Sequence, residues 1–434
     1  MAVHGLLPLG DSDGPSPSAE HLLDVLAHFT WQGRPTTQTC LSAGAAPAGV
    51  PVFTNEFWTS KQRAASANSL HEISYRACFK PQLPAFFIER LSREAGVVYD
   101  PFAGRGTTLI EAALRERTPA GCDINPLSGM LVRPRLAPPT LRELTHRLHA
   151  LDLTWNDSLP EDLLTFYHPV TLAELCALRA YLIDRQASGE QDHVDEWIRM
   201  VAVNRLTGHS PGFLSVYTLP PNQAVSVDSQ RKINRDRNQQ PARRDLRHIL
   251  VRKSASLLKD VDDIARQRLG PSVQSSRFHV GSCTETFWED ESVSLIVTSP
   301  PFLDVVDYAA DNWLRCWFCG ITSSDVRVEL FRKVDEWRQF IERGFRQFQR
   351  LLEPDGFIAF EVGEVRGGAL KLEEIVLPAG IDAGLLPVCV VVNEQTFTKT
   401  ANIWGVSNNA KGTNTNRVVV FQKAKRASAG SEVG

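Results

Sequence analysis

Two short segments of this 434-residue chain carry residues whose types and spacing could do chemistry. The first is Asp100-Pro101-Phe102-Ala103-Gly104-Arg105-Gly106-Thr107-Thr108, and the second is Thr298-Ser299-Pro300-Pro301-Phe302. Gly104 and Gly106 allow dihedrals and a closeness of approach that a Cβ would block, so the first loop can lie against a ligand. Asp123, about twenty residues further on at the end of the next apolar run, is placed to accept hydrogen bonds from ribose hydroxyls. The loop lacks the third glycine of Gly-x-Gly-x-x-Gly and has no Gly-Lys-Ser/Thr, which argues against a dinucleotide and a nucleoside triphosphate. A carboxylate at Asp100 would repel pyrophosphate and attract the amino group of a methionine tail, which favours S-adenosylmethionine. A capped strand end followed by an ordinary tight turn is the plain alternative.

In the second segment, consecutive prolines fix the backbone and remove two N–H donors. Carbonyl oxygens, chiefly that of Pro300, are left as acceptors. An exocyclic amino group suits them. Hydrogen bonds from such an amine to Ser299 and the Pro300 carbonyl would draw its nitrogen toward tetrahedral geometry and free the lone pair to attack a sulfonium methyl in line. Phe302 would stack on a base swung out of a helix. A rigid turn with a buried Phe is the structural alternative. Methylation at a ring carbon needs a thiolate nucleophile, usually in a Pro-Cys pair, and the sequence has none.

The elements that must position these segments follow from periodicity. A helix over residues 84–93, a strand at 97–99, the glycine loop, a helix over 107–117 and a strand ending at Cys122 and Asp123 make one unit of a doubly wound, mostly parallel α/β sheet. Strand patterns resume at 277–280, 293–297 and 357–362, with a helix over 335–352, and residues 388–392 and 418–422 read as a closing antiparallel pair. Between the two halves, helical patterns around 139–153, 171–185 and 195–206 make a large insert. The expected organisation is a loose N-terminal segment (1–50) holding a short amphipathic stretch at 19–29. A catalytic domain (51–130 and 272–424), an inserted lobe (131–271) and a disordered tail (425–434) complete it.

The net charge of −3 does not advertise a polyanion partner, so a nucleic-acid surface must be local. Residues 231–253 supply one, with nine Lys or Arg against two Asp. Asn234, Asn238, Gln239 and Gln240 are interleaved with them and could meet phosphates and base edges. A solvated helix face is the bland reading of the same run. The eight cysteines have no framework spacing, so no disulfide is expected. Cys316 and Cys319 have zinc-ligand spacing but no second pair, so no metal is expected. No apolar run approaches the roughly 20 residues of a membrane span, and no signal sequence is evident at the N-terminus, so a cytoplasmic protein is expected.

The two motifs, with residues 71–89, resemble the bacterial S-adenosylmethionine-dependent DNA amino-methyltransferases. Ser299, where adenine-N6 enzymes usually carry Asp or Asn, resembles the cytosine-N4 type. The resemblance implies a Rossmann-like class I methyltransferase fold and a role at the nucleoid. It implies Ser299, Pro300, Pro301 and Phe302 as the catalytic motif, and a cofactor wall of Tyr75, Lys80, Asp100, Phe102, Ala103, Gly104, Gly106, Thr107, Asp123, Ile124, Asn125 and Thr298. Ser282 stands where the family often has Asp for the adenine amino group, Arg105 where a small residue is common, and Phe302 where Tyr is more frequent. The order of motifs makes the insert the candidate for target recognition on double-stranded DNA, with Asn222, Gln223, Arg231, Lys232, Arg235, Arg237, Arg243 and Arg244 as contacts. Adenine-N6 methylation, RNA amino-methylation and a silent DNA-binding protein on the same fold remain the alternatives, and oligomeric state stays open.

Overall fold

Residues 293–298 are buried at every position, as a parallel strand covered on both faces requires. The computed structural model describes residues 17–41, 49–59, 67–75, 78–218, 224–301, 308–322, 331, 333–362, 364–365, 370–394 and 415–425. Two small ribbons, Thr30–Trp31 (β1) with Arg34–Pro35 (β2) and Glu364–Val365 (β10) with Leu370–Lys371 (β11), stand apart from the main sheet. The main strands are Thr37–Cys40 (β3), Pro51–Asn55 (β4), Val97–Asp100 (β5), Thr118–Asp123 (β6), Arg277–Val280 (β7), Val293–Thr298 (β8), Leu352–Val362 (β9), Leu385–Glu394 (β12) and Thr415–Lys423 (β13). Their order is β3-β4-β12-β13-β9-β8-β5-β6-β7.

β5 to β9 run parallel, and β13 lies antiparallel between β9 and β12. This is the expected Rossmann-like, doubly wound and mostly parallel sheet. The chain winds outward from β5 through β6 to β7, then returns to place β8 on the other side of β5. The order therefore reverses between β5 and β8, and their carboxyl ends bound a crevice of the kind where such sheets bind ligands.

Side chains alternate across the sheet with the period of two that strands impose. Ile296, Ile358, Phe360, Val419 and Phe421 face one way. They meet Val334–Leu351 (α12), whose Trp337, Phe340, Ile341, Phe345 and Phe348 recur at helical spacing. Leu295, Val297, Ala359, Val418 and Val420 face the other way, against Ala19–His28 (α1) and Gln82–Leu91 (α2).

Thr107–Leu114 (α3) crosses from β5 to β6 and ends three residues before the predicted limit, where Glu116 takes a positive φ of 59°. The connection from β6 to β7 is long and helical: Leu127–Leu136 (α4), Leu141–Ala150 (α5), Pro169–Ala187 (α6), His193–Arg205 (α7), Val227–Asp236 (α8), Leu246–Leu258 (α9) and Asp263–Ser275 (α10). Its Phe166, Trp197 and Leu246 share one apolar core with Leu109 and Ile110 of α3 and with Leu70, Ile73 and Tyr75. After β8 come Tyr308–Cys319 (α11), α12, and Glu373–Asp382 (α13) before β12.

One expectation fails at the N-terminus. Residues 37–40 lie in the segment read as loose, yet they pair antiparallel with β4 as the edge of the sheet. Thr37-Gln38-Thr39-Cys40 is exposed throughout, so no apolar alternation marks it; β-branched threonines and a free neighbour are enough.

Phe345 touches Phe360 on β9 and Phe421 on β13, with ring centroids 4.9 and 5.3 Å away. Phe345→Ala should therefore lower stability by about 3–5 kcal/mol in urea unfolding, and a loss below about 1 kcal/mol would contradict this packing.

Candidate cofactor and base pocket

Where β5 ends, the Asp100 carboxyl is buried and accepts from the Phe102 N–H at 3.1 Å and from the Thr298 hydroxyl at 2.6 Å. The loop then turns through Gly104 and Gly106, at φ 53° and 73°, in the left-handed region that favours glycine. The Gly104 N–H donates to Asp123 Oδ2 at 2.7 Å, and the Asn125 N–H to Asp123 Oδ1 at 2.8 Å. Asp123 is thus held by backbone from both sides of the crevice. A Cβ on Gly106 would come within 2.3 Å of Val132 Cγ2. This glycine lets the start of α3 pack against α4, and it does not line the cleft.

Burial pushes both carboxyls up to about 6, although the hydrogen bonds they accept pull the other way. A carboxyl whose folded pKa lies above its unfolded value favours folding at low pH and loses that contribution as pH rises through about 4 to 6. Neutral pH therefore leaves two buried, hydrogen-bonded negative charges lining the cleft.

The cleft between the two motifs encloses about 910 Å³, part of it open to solvent. It is lined by Tyr75, Asp100, Phe102, Ala103, Gly104, Thr107, Asp123, Ile124, Asn125 and Ser282 from the expected cofactor wall, and by Ser299, Pro300 and Pro301 from the second motif. Lys80, Gly106 and Thr298 do not line it. Thr298 acts one step behind, through Asp100. Lys80 is half-buried beside the loop, where burial and the Arg105 charge hold its pKa down. Phe302 lies outside the described residues.

Cys78, Phe79, Pro101, Gly281, Cys283 and Phe340 also line the cleft. Most are chain neighbours of expected residues. Phe340 comes from α12 and carries no sequence signal beyond helical apolar spacing. Cys316 and Cys319 are buried on α11, with thiols pushed up by burial.

Arg105 explains itself in the fold. Its buried guanidinium donates to the carbonyls of His71 (3.2 Å), Ile73 (2.9 Å) and Phe79 (3.3 Å), tying these three residues to the back of the glycine loop. Arg135 on α4 donates in turn to the Arg105 and Leu70 carbonyls, and burial beside Arg105 pushes its pKa down to about 9. The tie presents Tyr75, whose hydroxyl accepts from Asn125 Nδ2 at 3.5 Å, to the cleft. The insert holds the same strap through Asn204 to the Ser74 N–H (2.6 Å) and Lys253 to the Glu72 carbonyl (2.6 Å).

On the second motif, the Ser299 hydroxyl oxygen is buried without a hydrogen-bond partner of ordinary geometry. The nearby Glu361 carboxyl feels it all the same. Burial raises the Glu361 pKa, while Ser299 and Asn416, whose amide donates at 2.9 Å, oppose that rise. Glu361 was missed by sequence reasoning, although a lone carboxylate in the otherwise apolar run 357–362 is a signal of a buried polar role.

The expected nucleic-acid contacts fare unevenly. Asn222 and Gln223 lie outside the described residues. Arg231 is exposed on α8 but paired with Asp162 (2.9 Å) and Asp228 (3.0 Å). Arg237 stacks on the Tyr217 ring at 3.8 Å. Lys232, Arg235 and Arg243 are exposed, and Arg244 is half-buried with its backbone bonded to Thr171. Asn234 and Gln239, read as base-edge readers, turn inward: Asn234 donates to the Thr165 carbonyl at 2.8 Å, and Gln239 to the Tyr217 carbonyl at 3.0 Å. The segment before α8 docks on α11, through the Trp313 indole to the Val225 carbonyl at 3.2 Å and the Ala224 N–H to the Asp311 carbonyl at 3.1 Å.

Among known proteins, the Type II methyltransferase M.MvaI of Kocuria varians is 36% identical over 81 residues, 18% of each chain. The Type II methyltransferase M.MjaII of Methanocaldococcus jannaschii is 28% identical over 86 residues, 20% of this chain and 16% of that one. These stretches span less than a fifth of either relative. A TehB-like SAM-dependent methyltransferase from Corynebacterium glutamicum, 11% identical with 79% of this chain and 87% of that one covered, superposes at a TM-score of 0.28, too slight a likeness to add to the sheet topology. A family model described as DNA methylase, of the N6 and N4 methyltransferases, matches residues 43–127. That stretch, which holds Tyr75, the Asp100 loop and Asp123, is similar to the corresponding stretch of DNA amino-methyltransferases.

Proposed function

We propose that the chain transfers a methyl group from S-adenosylmethionine to the exocyclic N4 of cytosine in duplex DNA, on a base turned out of the helix. The observation that carries this reading is the buried Ser299 hydroxyl, which has Glu361 near it but no donor to its oxygen among the described residues, on the rim of a cleft whose other wall is the Asp100 loop. An acceptor left without a donor in a buried site costs free energy, and a substrate amine would remove that cost.

The cleft suits the cofactor on physical grounds. Asp100 and Asp123 are buried carboxyls with no ion-pair partner among the described residues, so the ammonium of a methionine tail and the hydroxyls of a ribose fit their chemistry. When bound, S-adenosylmethionine supplies an electrophilic methyl on a sulfonium. The protein's own residues do the rest. Asp100, held by Thr298, orients the cationic tail, and Asp123, held by Gly104 and Asn125, receives the ribose. Ser299 and the Pro300 carbonyl accept the two amine hydrogens and keep the lone pair directed. Glu361 behind Ser299 makes its hydroxyl a better acceptor. The proton released after transfer leaves to water, because it becomes acidic only once the nitrogen is methylated. The preference for cytosine rests on Ser299 in the motif. Lys232, Arg235 and Arg243 on and after α8 are the proposed phosphate contacts within an inserted target-recognition lobe, consistent with a single exposed basic run.

Labelled methyl transfer to mixed-sequence duplex DNA and to structured RNA, followed by nucleoside mass spectrometry, tests the reading. N4-methylcytosine from DNA is expected. N6-methyladenine would overturn the base assignment, and labelled RNA alone the substrate class. Ser299→Ala should lower kcat by about 10²–10³-fold with cofactor affinity nearly unchanged.

Cofactor affinity should tighten as pH rises from about 5 to about 7.5, because Asp100 and Asp123 charge across that window, and the trend should be weaker in Asp100→Asn. Calorimetry giving an affinity flat with pH would contradict the roles of both carboxyls. Lys232→Glu with Arg235→Glu should weaken DNA binding and reduce the slope of log K against log salt by about 2. An unchanged slope in a salt titration would remove α8 from the interface.

A further inference from the structure

Two consecutive prolines remove two N–H donors from the second motif, so a donor from elsewhere helps to fix its carbonyls. One such donor is in place. The indole N–H of Trp337 on α12 donates to the Pro301 carbonyl at 2.9 Å. The Trp337 side chain is fully buried in the core between α12 and the sheet, so its N–H has no water to turn to and its direction is set by packing. Three residues along the same helix, Phe340 lines the cleft and meets Phe102 of the glycine loop at 5.7 Å between ring centroids. One face of one helix therefore touches both motifs.

We propose that Trp337 is the positioning residue of the catalytic turn: by engaging the Pro301 carbonyl it fixes the turn so that Ser299 and the Pro300 carbonyl are the acceptors presented to the substrate amine. The assignment rests on the amino-methyltransferase reading above. The proline rings fix φ at both positions, and ψ is the freedom that remains. A hydrogen bond from a rigid core indole pins the Pro301 carbonyl in place, and because the ring fixes φ at Pro301, the Pro300–Pro301 peptide before it is held as well. Trp337 does not line the cleft, so its effect must run through the turn.

The test uses the full chain with two replacements at position 337. Trp337→Phe removes the N–H and part of the ring, and benzothienylalanine keeps the bicyclic shape and removes only the donor. Steady-state methyl transfer to duplex DNA, equilibrium binding of S-adenosylhomocysteine and thermal melting are measured together. With benzothienylalanine, kcat should fall about 10- to 100-fold while cofactor affinity stays within about twofold and melting is nearly unchanged, since misplacing a reacting group costs turnover rather than ground-state binding. Trp337→Phe should show at least that loss of kcat. A benzothienylalanine chain with wild-type kcat overturns the assignment. So does a parallel fall of kcat, cofactor affinity and melting temperature, which marks a merely structural tryptophan. A wild-type chain that binds S-adenosylhomocysteine and methylates nothing overturns the functional reading, and this assignment with it. An active wild type with an indifferent position 337 overturns this assignment alone.

Discussion

The hydrogen bond from the Thr298 hydroxyl to the Asp100 carboxyl, at 2.6 Å, joins the last residue of one parallel strand to the last residue of its neighbour. Everything proposed for this molecule depends on that adjacency. The two motifs are separated by nearly two hundred residues of chain, and parallel pairing of β5 with β8 is what brings their loops to one rim. Parallel strands cannot be joined by a tight turn, so the intervening chain must cross over the sheet, and here it does so with the helices α4 to α10 in the path. The same crossover gives the molecule its helical bulk and its exposed basic run.

The cleft is surrounded by polar groups that are costly to bury. Arg105 and Arg135 lie side by side without a carboxylate between them, and each is satisfied by backbone carbonyls instead. This arrangement removes orphan carbonyls from an irregular strap while fixing where Tyr75 stands. Asp100 and Asp123 face the opposite problem, being acids held in a site that raises their pKa.

The strands that frame the site were legible because buried parallel strands leave apolar β-branched runs, as at residues 293–298. The glycine loop was legible because positive φ at Gly104 and Gly106 leaves little choice of residue. Other features had no such signature. β3 is exposed at every position, so its place at the sheet edge is decided by a partner rather than by its own pattern. Gly106 reads the same in sequence whether it meets a ligand or a neighbouring helix, and the fold sets it against Val132. Asn234 and Gln239 looked like base readers because amides suit base edges, but they suit the carbonyls of a neighbouring loop equally well. Arg105, Glu361, Trp337 and Phe340 became meaningful only when the fold showed what each one touches.

The central claim is that the glycine loop and the Ser299 turn form one site that holds cofactor and target together. A crystal structure of the full chain with S-adenosylhomocysteine tests it most directly. The amino-acid tail is expected at Asp100, the ribose at Asp123, and the sulfur turned toward Ser299 and Pro300. A cofactor seated outside this cleft, or lying in it with its sulfur turned away from Ser299, would contradict the account.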